Sequence, residues 1–238
     1  VSDTRTWIEA DLIVRNAGDL LTCARTGSAA GGRSTLGVIP RGAVAAREGR
    51  VVWVGPTAAL QEEVRLVRGG QDVEADGRVV MPGLVECHAH LAFAGDRSDE
   101  FQMRVAGASY QQVARAGGGI MSTVHATCAA SDEVLRALTR KRLDYFLRFG
   151  VTTVEAKSGY GLSQEQEIRL LEVYRDVGAS HPVDLVPTLL AAHTLPVEYL
   201  DRPDDYVKMV TKKMIPAAAK HHLARFCDAF CEQGAFTA

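Results

Sequence analysis

From residue 79 onward the sequence alternates short apolar runs with amphipathic stretches, and that rhythm leaves few folds open. An apolar run, VVMPGLVECHAH, passes through Pro82-Gly83 and ends in His88-Ala89-His90. A helix is expected from Ser131, with Asp132 and Glu133 in its first turn, where carboxylates complement the helix dipole. Leu135, Leu138, Leu143 and Phe146 supply its apolar stripe, and Gly150 stops it. Residues 151–155 (VTTVE) read as a strand. Ser163, with Gln166 three residues on, reads as a capping box for a helix ending at Gly178. A strand is expected over 183–190, although Pro187 argues against a central position for it. A helix over 204–213 is expected to break or end near Pro216, and 225–231 reads as a last apolar strand. Strand and helix in repeated alternation imply an α/β fold, a parallel sheet with helices packed outside.

In parallel sheets, function collects at the carboxyl ends of the strands. Those ends carry His88 and His90, then Lys157-Ser158-Gly159-Tyr160-Gly161, then His193, then Glu232. A doubly wound nucleotide-binding sheet would need a glycine fingerprint after its first strand. Gly117-Gly118-Gly119 follows no clear strand and lacks a Lys-Ser/Thr partner, so a barrel is preferred. About four barrel strands are legible, and a closed (β/α)8 barrel needs eight. Further strands past Ala238, or a second chain, are therefore expected.

Side chains two apart on an extended backbone share a face, so His88 and His90 can aim both imidazoles at one point. Imidazole is a common ligand of zinc and iron, and the strand-end context favours a metal site over an accidental pair. Arg97, seven residues on, offers a planar fork for a carboxylate; alone it would more often be a surface ion-pair partner. Tyr160, between glycines, and His193 are placed to hydrogen-bond a ligand; by donor chemistry alone His193 is equally a candidate metal ligand. Lys157 is read as a structural ion pair with a nearby carboxylate, and the role of Glu232 is left open. His125, His181, His221 and His222 read as ordinary solvent or capping histidines.

The first eighty residues lack any spacing that suggests chemistry. Short strands at 11–16 and 36–39 flank a Gly/Ser/Ala-rich loop at 26–35. Residues 42–54 read as two strands joined by a Glu48-Gly49 turn, 57–65 as a helix, and 72–80 as a strand pair broken at Asp76-Gly77. This pattern suggests a small β-sandwich or meander serving as a platform. The chain is 47% hydrophobic and 24% charged with a formal net charge of −2, which gives no reason to expect nucleic acid or membrane as partner. No apolar run approaches the roughly 20 residues of a membrane span, and the N-terminus lacks a signal-peptide layout. Five scattered cysteines, Cys23, Cys87, Cys128, Cys227 and Cys231, fit reduced, mostly buried thiols in a cytoplasmic enzyme.

The segments PGLVECHAH, Ala94-Gly-Asp-Arg97, Glu100-Phe101, Ala106–Tyr110, Ala116–Ile120, Glu155–Leu162, Ala192-His193 and Phe230–Gly234 occur in order from about residue 80 onward. Together they resemble the imidazolonepropionase family of the amidohydrolase superfamily, KSGYGL and AGGGI most specifically. The resemblance implies a metal-bearing (β/α)8 TIM barrel, of which residues 81–238 are the first half, beside a β-sandwich to which residues 1–80 contribute. It implies hydrolysis of the cyclic amide of 4-imidazolone-5-propanoate to N-formimidoyl-L-glutamate in histidine degradation. His88 and His90 would bind one zinc or iron ion; Arg97, Tyr160 and His193 would bind substrate; the enzyme would be a homodimer. The remaining metal ligands and the catalytic base are expected beyond Ala238, so the 238-residue chain alone is expected to be inactive and to bind metal weakly. The alternatives are another mononuclear amidohydrolase, such as a ring deaminase, or a non-catalytic half barrel that folds with a partner.

Overall fold

Glu48 and Gly49 both adopt the left-handed backbone region, φ 51° and 74°, which the two-residue turns of hairpins require. They join β4 (Gly42–Arg47) to β5 (Arg50–Pro56) in the computed structural model, which describes residues 6–24, 36–109, 112, 118–232 and 236. The loop expected at 26–35 and motif positions Tyr110, Ala116, Gly117, Gln233 and Gly234 lie outside the described residues. The chain divides into two units, Val1–Pro82 and Gly83–Ala238.

In the first unit a four-stranded sheet runs β5-β4-β1-β6, with β1 at Ile8–Arg15 and β6 at Val64–Glu74. β4 pairs antiparallel with both β5 and β1, whereas β6 runs parallel to β1. Two short strands, β2 (Asp19–Leu21) and β3 (Val38–Pro40), pair antiparallel. Helix α1 (Thr57–Glu63) seats Leu60 among Ala10, Ile13, Ala43, Ala45 and Val64. Two expectations fail here. Val64 and Arg65 belong to a strand, not to the helix, and residues 72–80 do not form a strand pair. Seven residues of β6 pair with β1 up to Glu74, so the strand ends where Asp76 and Gly77 turn, and Val80 makes only an isolated bridge to Leu20.

The second unit holds four parallel strands in the order β10-β9-β8-β7: β7 Leu84–Ala89, β8 Val151–Lys157, β9 Asp184–Ala192 and β10 Phe226–Ala229. Spatial order follows chain order with no reversal, giving a half-barrel sheet rather than a doubly wound one. Helices α2 (Ser98–Val105), α3 (Ile120–Ala129) and α4 (Asp132–Arg148) separate β7 from β8, and α5 (Gln164–Gly178) separates β8 from β9. Ser131 caps α4 by accepting from Val134 N (3.4 Å). Ser163 caps α5 by accepting from Gln166 N (3.2 Å), but the Gln166 side chain accepts from Arg169 instead, so only half of the capping box forms. Leu135 and Leu143 of α4 pack with Leu170, Leu171, Tyr174 and Val177 of α5 against Val154, Ala156, Leu189 and Ala191 of the sheet.

The Pro187 expectation is corrected, and of the two outcomes expected near Pro216 the interruption is observed and the ending is not. Pro187 sits in β9, which has neighbours on both sides; its carbonyl accepts from Arg225 N (2.8 Å), and its missing N–H falls before β10 begins. Pro216 does not end a helix. α6 (Pro203–Met209) continues through a π-helical turn at Val210–Met214 into α7 (Ile215–Lys220), whose first turn contains the proline. The wider turn absorbs a ring that a regular helix interior would not accept. No helix among the described residues is long and apolar enough to cross a membrane.

Gly83 enters β7 against Thr152 of β8, whose Oγ1 and Cγ2 would collide with any added Cβ. Gly83→Ala should therefore destabilise the chain by about 1–3 kcal/mol in urea denaturation. Adding Thr152→Ala should recover at least half of that loss; additive losses would contradict the contact.

Candidate active site

The strand-end residues expected to act together do converge in part. His90, the first residue beyond β7, stacks on His193 beyond β9, with ring centroids 4.7 Å apart and planes 13° apart. The Tyr160 ring lies 4.8 Å from His90 and 5.5 Å from His193. His88 is 5.7 Å from His90, edge-on, and exposed. Phe93 and Phe230 close the cluster, 5.7 Å from Tyr160 and 6.2 Å from His193. Arg97 is exposed at the start of α2 and donates to Thr123 Oγ1 (3.0 Å). Its charge reaches His193, lowering that ring's proton affinity. Glu232 is exposed beyond β10 and has no hydrogen bond among the described residues.

Two ring nitrogens have assignable states. His193 Nδ1 lies 2.9 Å from the Gly159 carbonyl, which only accepts, so Nδ1 carries the proton and Nε2 is left with a free lone pair. Burial first, then the charges of His193 and His88, push His90 down to about 4. Burial likewise lowers His193, against the opposing pull of Gly159. Both rings are neutral at pH 7, the form that binds metals and accepts hydrogen bonds.

Among the described residues, His90 Nδ1 is buried without a hydrogen-bond partner. A buried orphan imidazole nitrogen fits a missing ligand, and His88 beside it adds a second nitrogen donor. Among the described residues no three His, Cys, Asp or Glu side chains come together closely enough to hold a metal ion. The pair supplies part of a donor set.

Lys157 is 5% exposed and bonds Glu155 (2.6 Å) and Asp228 (2.8 Å), while Thr188 donates to the same Glu155 oxygen (2.8 Å). The ion pair expected for Lys157 is thus present, and it spans three strands. Burial alone would lower the Lys157 ammonium; the two carboxylates outweigh it and raise it, and Lys157 holds both carboxyls below their usual range.

Several residues that shape the site escaped the sequence reading. The backbone of 91–94, just beyond His90, has no ladder partner and is held by side chains. Tyr174 OH accepts from Leu91 N and Ala92 N (both 3.1 Å) and donates to the Lys157 carbonyl (2.8 Å). Arg142 donates to the Leu91 and Phe93 carbonyls, and Thr127 Oγ1 accepts from Ala94 N (3.1 Å). Tyr206 OH lies within 3.0 Å of the Leu162 carbonyl and 2.9 Å of the Ala191 carbonyl. The available signal was a polar residue on an otherwise apolar helix stripe: Thr139 and Arg142 on α4, Glu167 and Tyr174 on α5. His181 corrects another expectation. It is buried, accepts from Val183 N through Nδ1 (3.1 Å) and meets Asp144 through Nε2 (3.3 Å), so it ties the start of β9 to α4 instead of facing solvent.

His90 and His193 have folded-state proton affinities below the ordinary histidine value near 6.5. The unfolded chain therefore binds more protons, and the stability they contribute is complete above pH ~6.5 and declines on acidification. The urea midpoint should fall as pH drops from about 7 to 4.5, by of order 2 kcal/mol in stability, and His90→Gln should flatten that slope. A wild-type midpoint that is level across this range would contradict the buried, neutral rings.

No family model matches the chain. It is 46% identical over 231 residues to the imidazolonepropionase of Symbiobacterium thermophilum, covering 95% of this chain and 54% of that protein. The imidazolonepropionases of Myxococcus xanthus (46%, 95% of this chain, 53% of the relative) and Yersinia pseudotuberculosis (42%, 97% and 52%) match in the same way. The chain spans about half the length of the curated relatives it matches. Among solved structures it is similar to an atrazine chlorohydrolase of Arthrobacter aurescens complexed with zinc and atraton, with a TM-score of 0.54 at 13% identity over 95% of this chain and 48% of that one. A triazine hydrolase gives a TM-score of 0.56 at 16% identity, covering 95% of this chain and 47% of that one. These likenesses show an α/β fold shared with those hydrolases. With identities of 42–46% along nearly all of its length, the chain belongs to the imidazolonepropionase family.

Proposed function

We propose that this chain forms the front half of a metal-dependent hydrolase that opens the ring of 4-imidazolone-5-propanoate to give N-formimidoyl-L-glutamate. The observation that carries the reading is the His90–Tyr160–His193 ring cluster at three successive strand ends, beside the orphaned Nδ1 of His90. The family relationship supplies the substrate. His88 and His90 would hold one zinc or iron ion, which when bound supplies Lewis-acid polarisation of a carbonyl. Catalytic zinc takes three protein ligands, so the remaining donors and the catalytic base come from elsewhere in the whole protein.

The chain's own groups have separable tasks. Arg97, exposed and tethered to Thr123, offers its remaining N–H donors to the propanoate carboxylate. Tyr160 presents a hydroxyl to the ring, and His193 Nε2 accepts an N–H from it. Phe93 and Phe230 reduce water access to the rings. The half-barrel sheet is read as strands one to four of a (β/α)8 barrel. Its outer strands support that reading: Val85 of β7 and Phe226 of β10 are 66% and 54% exposed at edges where further strands would pair. The first unit is read as part of a β-sandwich, supported by an open apolar groove of about 520 Å³ between Leu12, Val14, Val44, Val51, Val54 and Met81. The cysteines are not mostly buried as expected, since four are exposed and Cys128 is half-buried, but all five are free, which supports a cytoplasmic, reducing compartment; family membership supports a homodimer.

Titration with cobalt(II), followed in the visible region, should show weak binding by wild type and none by His88→Ala or His90→Ala. Equal binding by all three would contradict the metal assignment. Imidazolone propanoate should bind about tenfold more tightly than the same ring without its propanoate arm, as expected for one charge-assisted fork, and Arg97→Met should abolish that preference. Hydrolysis by the 238-residue chain alone should remain far below an ordinary enzymatic rate of about 10 per second. Turnover at that rate would show that these residues suffice.

A further inference from the structure

The turn that carries Tyr160 is held by a single buried carboxylate. Glu167 is completely buried on the apolar stripe of α5, yet its two oxygens accept from three backbone amides: Gly159 N (2.9 Å), Gly161 N (2.7 Å) and Leu162 N (2.8 Å). The turn is unfavourable without such a partner. Gly159 has φ 110°, and Leu162, which is not glycine, has φ 58°. An added Cβ at Gly161 would come within 2.6 Å of Gln166 C and Glu167 N, so only glycine lets the turn approach α5 this closely. Charge-assisted hydrogen bonds of this kind are about twice as strong as neutral ones, which offsets the strain.

The same turn aims the Gly159 carbonyl at His193 Nδ1. We propose that Glu167 is a positioning residue that, by anchoring the amides on both sides of the Gly159 carbonyl, fixes Tyr160 and holds His193 in its Nδ1–H tautomer. Nε2 of His193 is thereby kept as an acceptor facing the ring cluster. Free neutral imidazole places its proton mainly on the other nitrogen, so the protein has to impose this state. Burial pushes the Glu167 carboxyl up while the three amides and Ser158 pull it down. Burial is the larger effect and the carboxyl lies above its ordinary value; its three bonded partners are all amide donors, which serve the carboxylate form. The inference rests on the hydrolase reading only in calling His193 a substrate-binding residue; the tautomer claim stands on geometry.

Long-range ¹H–¹⁵N correlation spectra of the labelled chain, recorded near pH 7.5 without metal or substrate, test it. Wild type should show His193 protonated at Nδ1. Glu167→Gln replaces one acceptor oxygen with a donor NH2 that opposes the amides, and the Nδ1–H fraction should fall by at least half. His181→Asn, which removes a buried hydrogen-bonding ring at the opposite end of β9, should lower the melting temperature and leave the His193 pattern unchanged. An Nε2–H tautomer in wild type, or an unchanged pattern in folded Glu167→Gln, overturns the proposal. So does a Glu167→Gln change that His181→Asn reproduces. Should Glu167→Gln not fold, wild type still decides. The amides of Gly159, Gly161 and Leu162 must then exchange far more slowly than exposed loop amides, and fast exchange refutes the anchor. Because no metal or substrate is used, loss of the hydrolase reading and loss of this proposal are read separately.

Discussion

Every buried backbone N–H and C=O must find a partner, and the site depends on how that requirement is met where the strands stop. Within β8 and β9, which have neighbours on both sides, the ladder satisfies most of the backbone. Beyond the carboxyl ends of β7 and β8 the chain stays buried and the ladder runs out: Leu91 and Ala92 are at most 2% exposed with their amides on a side chain, and Ser158 N makes a last backbone bond to the Thr188 carbonyl (3.0 Å). Helix side chains take over there. Tyr174 serves Leu91, Ala92 and Lys157 through one hydroxyl, Arg142 serves two carbonyls, and Glu167 serves three amides. These same segments carry His90, Tyr160 and, across the Gly159 carbonyl, His193. Packing and site geometry are therefore one problem, solved chiefly by α5.

The strand-end cluster was legible because its determinants are local. Alternation in a strand, a glycine-bounded tyrosine and the recurrence of polar residues after apolar runs all lie in short windows. The ion pair of Lys157 was legible for a related reason, since an ammonium so close to the sheet needs a carboxylate. Its second partner, Asp228, lies 71 residues away in the chain and could not be named without the fold. Glu167 and Tyr174 were invisible as site residues because an amphipathic reading of α5 assigns a carboxylate to solvent and a tyrosine to the core. Only the position of both on the buried stripe hints otherwise, and the hint says nothing about which loop they meet.

Pro187 and Pro216 are both accommodated more easily than proline rules suggest, for one physical reason. Sequence rules treat proline as the loss of a donor and a source of steric conflict, and both are conditional on neighbours. At Pro187 the lost donor has no required partner, because β10 begins later. At Pro216 a preceding π turn moves the conflicting carbonyl away. His181 departs in the opposite sense: a histidine beside a helix end reads as a solvent or capping residue, yet its ring is buried, taking Val183 N on one nitrogen and meeting the exposed Asp144 carboxylate with the other.

X-ray absorption of the zinc-loaded chain reads the atoms around the ion without requiring turnover. Two imidazole nitrogens are expected at about 2.0–2.1 Å, with the outer-shell scattering of histidine rings, and oxygen completing the shell. A coordination sphere of oxygen alone, unchanged between wild type and His90→Ala, would contradict a metal site built on His88 and His90.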